Sequence, residues 1–216
     1  SVCFIQALKG LSSPSTARIG NAFGMAGMAI AVVTTVALML KLQDSLGQGG
    51  GSGFALVLLG VVVGGAIGAY AAKKVEMTKM PELVAAMHSL IGLAAVCIAI
   101  AAVSEPWAFN IATREMPLPF GNRLELFIGT FVGAVTFSGS VIAFGKLSGK
   151  YKFRLFQGAP VRFGGQHILN LVLAIAIVVL GLMFCFADGV APAWTPFIVM
   201  AALAFVLGVL IIIPIG

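Results

Sequence analysis

His88 is the residue whose type and setting most suggest chemistry. It lies inside the apolar run Pro81–Val103, with Ser89 beside it. An ionisable side chain in such a run is costly in lipid and by default marks an ion or proton pathway. Imidazole titrates near neutral pH, which suits a proton relay. The alternative is a histidine that simply hydrogen-bonds a neighbouring helix. A metal role is disfavoured, because no second His, Cys or carboxylate stands at ligand spacing on this run. In a helix His88 sits about 10 Å from Pro81. Val84, Ala85, Gly92, Ala95 and Ala99 share its side, and these mostly small residues predict that the ring looks into a helix bundle.

Other polar groups are fewer in implication. Glu82 follows Pro81, a residue suited to a first helical turn, where a carboxylate meets the positive end of the helix dipole. Thr136, Ser138 and Ser140 put hydroxyls into the run Leu124–Phe144. Such hydroxyls often bond their own backbone, and they can also line a polar path. His167 and Asn170 stand one turn apart at the start of Ile168–Ala187. His167 reads as an exposed or capping residue, and Asn170 as an interhelical hydrogen bonder. Cys3, Cys97 and Cys185 lie in or near apolar runs and read as small buried hydrophobes. Gly145–Lys150 misses the spacing of a phosphate loop and reads as a helix end with lysines.

The elements that position these residues follow from composition. Of 216 residues, 60% are hydrophobic and 9% charged, where a soluble domain carries about 25% charged residues. The mean hydropathy is +1.11. A water-soluble fold and a disordered chain are both excluded. Six runs are long enough to cross a bilayer: Ile19–Leu42, Phe54–Ala72, Pro81–Val103, Leu124–Phe144, Ile168–Ala187 and Trp194–Ile213. Their apolar residues are too continuous for a β-barrel, so an all-α, polytopic transmembrane helix bundle is expected. Val2–Leu8 is too short to span and reads as the tail of a further helix that was cut away. The abrupt end at Ile215-Gly216 reads in the same way.

Ten of the 13 Lys and Arg fall in loops on one side, among them Lys9, Lys73, Lys146 and Arg162; Lys41, Arg114 and Arg123 fall on the other. The positive-inside rule makes the basic side the inner one. The net charge of +6 is then a topology signal, and the loops lack the base-stacking aromatics of a nucleic-acid footprint. Small residues at four-residue spacing, Gly60-Gly64-Gly68 and Gly129-Gly133, predict close helix packing. Gly49–Gly53 reads as a flexible turn.

Three long stretches carry a resemblance to a family. Ala71–Val84 with His88-Ser89 and Gly92–Val96, Gly133–Ser140 running on to Leu147, and Asn21–Ala29 resemble the β subunit of proton-translocating nicotinamide nucleotide transhydrogenase. The resemblance implies hydride transfer between NAD(H) and NADP(H) on soluble domains, coupled to protons crossing a membrane domain. His88 matches the family's membrane histidine, and Glu82 an acid at the inner mouth. Ser140, Gly133 and Gly139 match the hydroxyl and glycines of a channel-lining helix, and Gly92 a glycine one turn beyond the histidine. Partners implied are the lipid bilayer, the α subunit or domain, the NADP-binding domain and a second copy. Residues 1–216 then form the proton-channel domain of an inner membrane of a bacterium or mitochondrion. Two further spans and the NADP-binding domain would follow Gly216, so no cofactor binding is expected here. Gly165-Gln166-His167 departs from an Arg that usually precedes the His, and Tyr151–Gln166 is not family-like. A stand-alone transporter or channel is the competing reading, but it predicts paired broken helices, and no matched mid-span prolines stand here. A purely structural bundle predicts that His88→Asn is silent for transport.

Overall fold

The computed structural model describes residues 2–46, 51–112, 118–150, 154–187, 189 and 191–215. Among these are seven α-helices and no strand. They are α1 (Val2–Leu11), α2 (Ala17–Leu46), α3 (Gly51–Lys74), α4 (Met80–Ser104), α5 (Phe120–Ser148), α6 (Gln166–Phe186) and α7 (Ala191–Ile212). Two 3₁₀ turns, Met77–Lys79 and Arg154–Phe156, precede α4 and α6. All six expected spans are present, as α2 to α7, and each is long and apolar enough to cross a membrane. Each of the six begins before its expected run, while α6 and α7 end one residue short of theirs. The largest gain is in α5, which takes in Phe120–Arg123 at one end and Gly145–Ser148 at the other.

Local signals explain the ends. Pro81 stands in the first turn of α4 with Glu82 beside it. Gly149 closes α5 at a φ of 61°, a left-handed conformation that favours glycine. The expected turn at Gly49–Gly53 is corrected in part. Helix α3 already begins at Gly51. Gly49 and Gly50 lie outside the described residues, as do Arg114, Glu115 and Lys152.

The chain forms two compact units, Ser1–Val61 and Val62–Gly216. In the first, α1 packs on α2 through glycine. A Cβ at Gly10 would lie 2.5 Å from the Gly20 Cα, so the two backbones touch. The intervening loop supplies donors for the orphan carbonyls at the end of α1. Thr16 Oγ1 donates to the Gly10 carbonyl at 2.6 Å, and Ser12 Oγ to that of Lys9 at 2.7 Å.

In the second unit α5 is the hub, packing against α4, α6 and α7, while α6 and α7 pack on each other. The core is made of Val96, Val103, Phe127, Ile177, Phe184, Phe197, Met200 and Leu207 with small alanines between them. Phe184 and Phe197 stack at 5.0 Å between centroids. Water does not drive helices together in lipid, so van der Waals packing of this kind carries the association. A Cβ at Gly129, in contrast, would meet no neighbouring atom within 4 Å among the described residues, and neither would one at Gly60, Gly64 or Gly68. Of the Gly129-Gly133 step, Gly133 alone makes a helix contact.

Candidate functional site

The site is organised by one close crossing. A Cβ at Gly92 of α4 would stand 2.6 Å from both the Gly133 carbonyl oxygen and the Phe137 nitrogen of α5. A Cβ at Gly133 would stand 2.9 Å from the Gly92 carbonyl oxygen. The two backbones are therefore in contact, which larger residues would prevent. The buried face of α4 is fixed by this contact and runs Ser89, Gly92, Val96, Ala99 and Val103.

His88 precedes that face by one residue, which is about 100° around the helix. The expected inward-looking ring is thus corrected: His88 is exposed in this chain, between Met87 and the buried Ser89. The Gly92 crossing chose the face, and the side shared by Val84, Ala95 and His88 falls beside it. Nδ1 of His88 donates to the Val84 carbonyl at 2.8 Å. A carbonyl only accepts, so Nδ1 carries a proton. The ring is thereby held by its own helix. Ser89 Oγ donates to the Ala86 carbonyl at 2.7 Å.

The crossing also sets depth. His88 stands four residues, about 6 Å, from Gly92 toward the Met80 end of α4. Ser140 stands three residues, about 4.5 Å, beyond Phe137 toward the Ser148 end of α5. Both ends carry the basic loops, so the two residues share a level on that side of the crossing. Glu82 stands six residues, about 9 Å, further along α4 than His88, in its first turn and half-buried.

Helix α5 meets α7 through a second glycine contact. A Cβ at Gly208 would stand 2.6 Å from the Val135 carbonyl oxygen, and one at Gly139 would stand 3.0 Å from Ile212. Thr136 and Ser140 line a groove of about 250 Å³ there, together with Gly139, Ala143 and Gly208. Ser138 differs, donating to its own Ala134 carbonyl at 3.0 Å while buried. The structure so brings Gly133, Gly139, Thr136 and Ser140 to one stretch of α5, while His88 and Glu82 lie along α4.

Other residues are placed differently from expectation. Asn170 shows no bond to a neighbouring helix among the described residues, where its Oδ1 is buried without a partner. Gln166, one turn earlier, takes the interhelical role by donating to the Leu210 carbonyl of α7 at 3.0 Å. His167 is exposed, as read. Of the cysteines Cys185 is buried, Cys3 is half-buried and Cys97 is exposed.

Two cations that sequence reasoning took only as topology markers hold the bundle together. Arg123 is 3% exposed. Its Nε donates to the Leu118 carbonyl at 3.0 Å, and its terminal nitrogens reach Phe184 at 3.2 Å, Gly189 at 3.1 Å and also Ala187. The Phe184 and Ala187 carbonyls are at the end of α6, where a cation also meets the negative end of the dipole. Lys146 does the same for α7, donating to the Ile213 carbonyl at 2.9 Å and to that of Ile215. Each cation stands near one end of α5 and the C-terminus of an antiparallel neighbour. That juxtaposition was the available signal. Lys146 is accordingly occupied, and Gly145–Ser148 is helical, so this run does not fit a dinucleotide phosphate.

A family model described as NAD(P) transhydrogenase beta subunit matches residues 1–216. NAD(P) transhydrogenase subunit beta of Rhodospirillum rubrum is 47% identical over 215 residues. The same protein from a designated strain of that species matches equally. The alignment covers 100% of this chain and 42% of those relatives, so the chain spans about two fifths of their length.

Proposed function

The chain belongs to the NAD(P) transhydrogenase beta subunit family, and from that premise we propose that residues 1–216 form its proton-conducting membrane domain. Six apolar helices make it an integral membrane protein. In the proposed assembly, hydride passes between NAD(H) and NADP(H) on soluble domains that these residues do not supply. The partners are an α subunit or domain, the NADP-binding domain and a second copy. The membrane is a bacterial or mitochondrial inner one, with the basic loops on the cytoplasmic or matrix side.

The observation that carries the reading is the hydrogen bond between His88 Nδ1 and the Val84 carbonyl. The Nδ1 proton is engaged by Val84, so in the neutral ring an incoming proton adds at Nε2. The ring then becomes an imidazolium with a donor at both nitrogens. Release from Nε2 returns the proton to the same side. Release from Nδ1 requires the Val84 bond to break. Coupling then amounts to control over which nitrogen lets go. Ser140 supplies a hydroxyl at the same depth, and Glu82 a carboxylate toward the basic end. Gly92, Gly133 and Gly139 hold the helices close enough for this.

The test uses the full-length complex in sealed vesicles. Proton uptake is followed while hydride transfer runs. His88→Asn should cut coupled uptake by about a hundredfold, the size of a lost general acid-base step, without lowering thermal stability. Unchanged coupling would sink the relay.

A further inference from the structure

We propose that the groove at the first turn of α6 binds an anionic phospholipid, with Arg162 on its phosphate. The groove measures about 590 Å³ and is lined by Arg162, Phe163, Gln166, His167, Ile168, Pro214 and Ile215 among others. Its charge has one sign. Between Glu125 and Asp188 the sequence holds five Lys and Arg and no Asp or Glu. Arg162 and His167 are both exposed. The Lys146 side chain, which bonds the Ile215 carbonyl, adds a second basic group near the rim.

The rest of the lining selects lipid over a free anion. Phe163, Ile168, Pro214 and Ile215 give a small phosphate nothing to bind. Ile168 instead begins an exposed apolar face of α6 that continues through Leu171, Val172 and Ile175. A glycerophospholipid matches both parts: its phosphate faces Arg162, and its acyl chains follow that face. Basic pockets between transmembrane helices on the inner side are known to suit such headgroups. The floor is held in place without the lipid. Gln166 bonds the Leu210 carbonyl, and the Val161 amide donates to Ile213 at 2.9 Å. The groove is therefore formed by the fold.

The experiment uses the full-length complex in nanodiscs of phosphatidylcholine mixed with phosphatidylglycerol. Native mass spectrometry counts the phosphatidylglycerol retained after transfer to detergent. Retention should fall about fivefold in Arg162→Gln, the effect of one surface cation, and persist in Arg162→Lys. Arg162 is exposed, so neither change should unfold the protein, and a melting curve checks this. Equal retention in Arg162→Gln would overturn the proposal. So would equal retention of phosphatidylcholine, or displacement by millimolar inorganic phosphate.

Discussion

Replacing Gly92 by Ala tests the crossing on which the site depends. The new Cβ would lie 2.6 Å from the Gly133 oxygen, where ordinary contact begins at 3.4 Å, a deficit of 0.8 Å. The obstructing atoms are backbone, the Gly133 oxygen and the Phe137 nitrogen, so no rotamer change relieves the clash. Helices α4 and α5 must separate, and α5 is held from behind by Gly208 of α7. Overpacking of this kind costs about 1–3 kcal/mol. It outweighs the gain of about 1 kcal/mol from replacing a helical glycine. Gly129→Ala is the matched control, because nothing stands within 4 Å of a Cβ there. That change keeps the helical gain and avoids the clash. Thermal midpoints of the full-length complex in nanodiscs would measure both. For a domain of this size each kcal/mol moves the midpoint by about 2–4 °C. Gly92→Ala should fall below the parent and Gly129→Ala should match or exceed it. A Gly92→Ala protein as stable as the parent, or a Gly129→Ala protein as damaged, would refute the backbone contact. Under the proposed function Gly92→Ala also lowers coupled proton uptake.

Other perturbations follow from the same geometry. Arg123→Ala strips the partner from carbonyls at the end of α6 and should destabilise by about 3 kcal/mol, with Arg123→Lys between it and the parent in a thermal melt. Lys146→Met removes a cation from the end of α7 and should lose about 0.5–1 kcal/mol, read by the same melt. Ser138→Ala should leave coupled proton uptake unchanged, since Ser138 bonds its own backbone, while Ser140→Ala should lower it.

The sequence disclosed the spans because continuous apolar runs separated by charge are a strong signal. It also disclosed Gly133 and Gly92 as packing glycines. It did not disclose which face of α4 packs inward. His88 and Ser89 differ by one residue, and small residues occur on both of their sides. A backbone contact decided between them, and such a contact depends on the partner helix. Cys97 was misread for the same reason. Asn170 and Gln166 sit one turn apart, and sequence could not say which meets α7. Arg123 escaped because charge at a span end already has an explanation in topology. Its further role needed the position of Phe184, 61 residues away.

Helix α5 is constrained along its whole length. Arg123 ties one end to the carbonyls of α6, and Lys146 ties the other to those of α7. Between them, glycine contacts press it against α4 at Gly133 and α7 at Gly139. A helix fixed at four points resists sliding, because the two cations hold backbone carbonyls and the Gly133 contact is with the Gly92 backbone, which cannot rotate aside. Under the proposed function, the change that gates a proton then falls on the least constrained part. That part is the His88 ring, exposed and held by one bond to Val84. Turning an exposed side chain is fast, and breaking one such bond costs about 1 kcal/mol, well below the cost of moving α5. Under that proposal the fold would place a light switch on a rigid frame, and a state-dependent partner would need only to compete with the Val84 carbonyl to throw it.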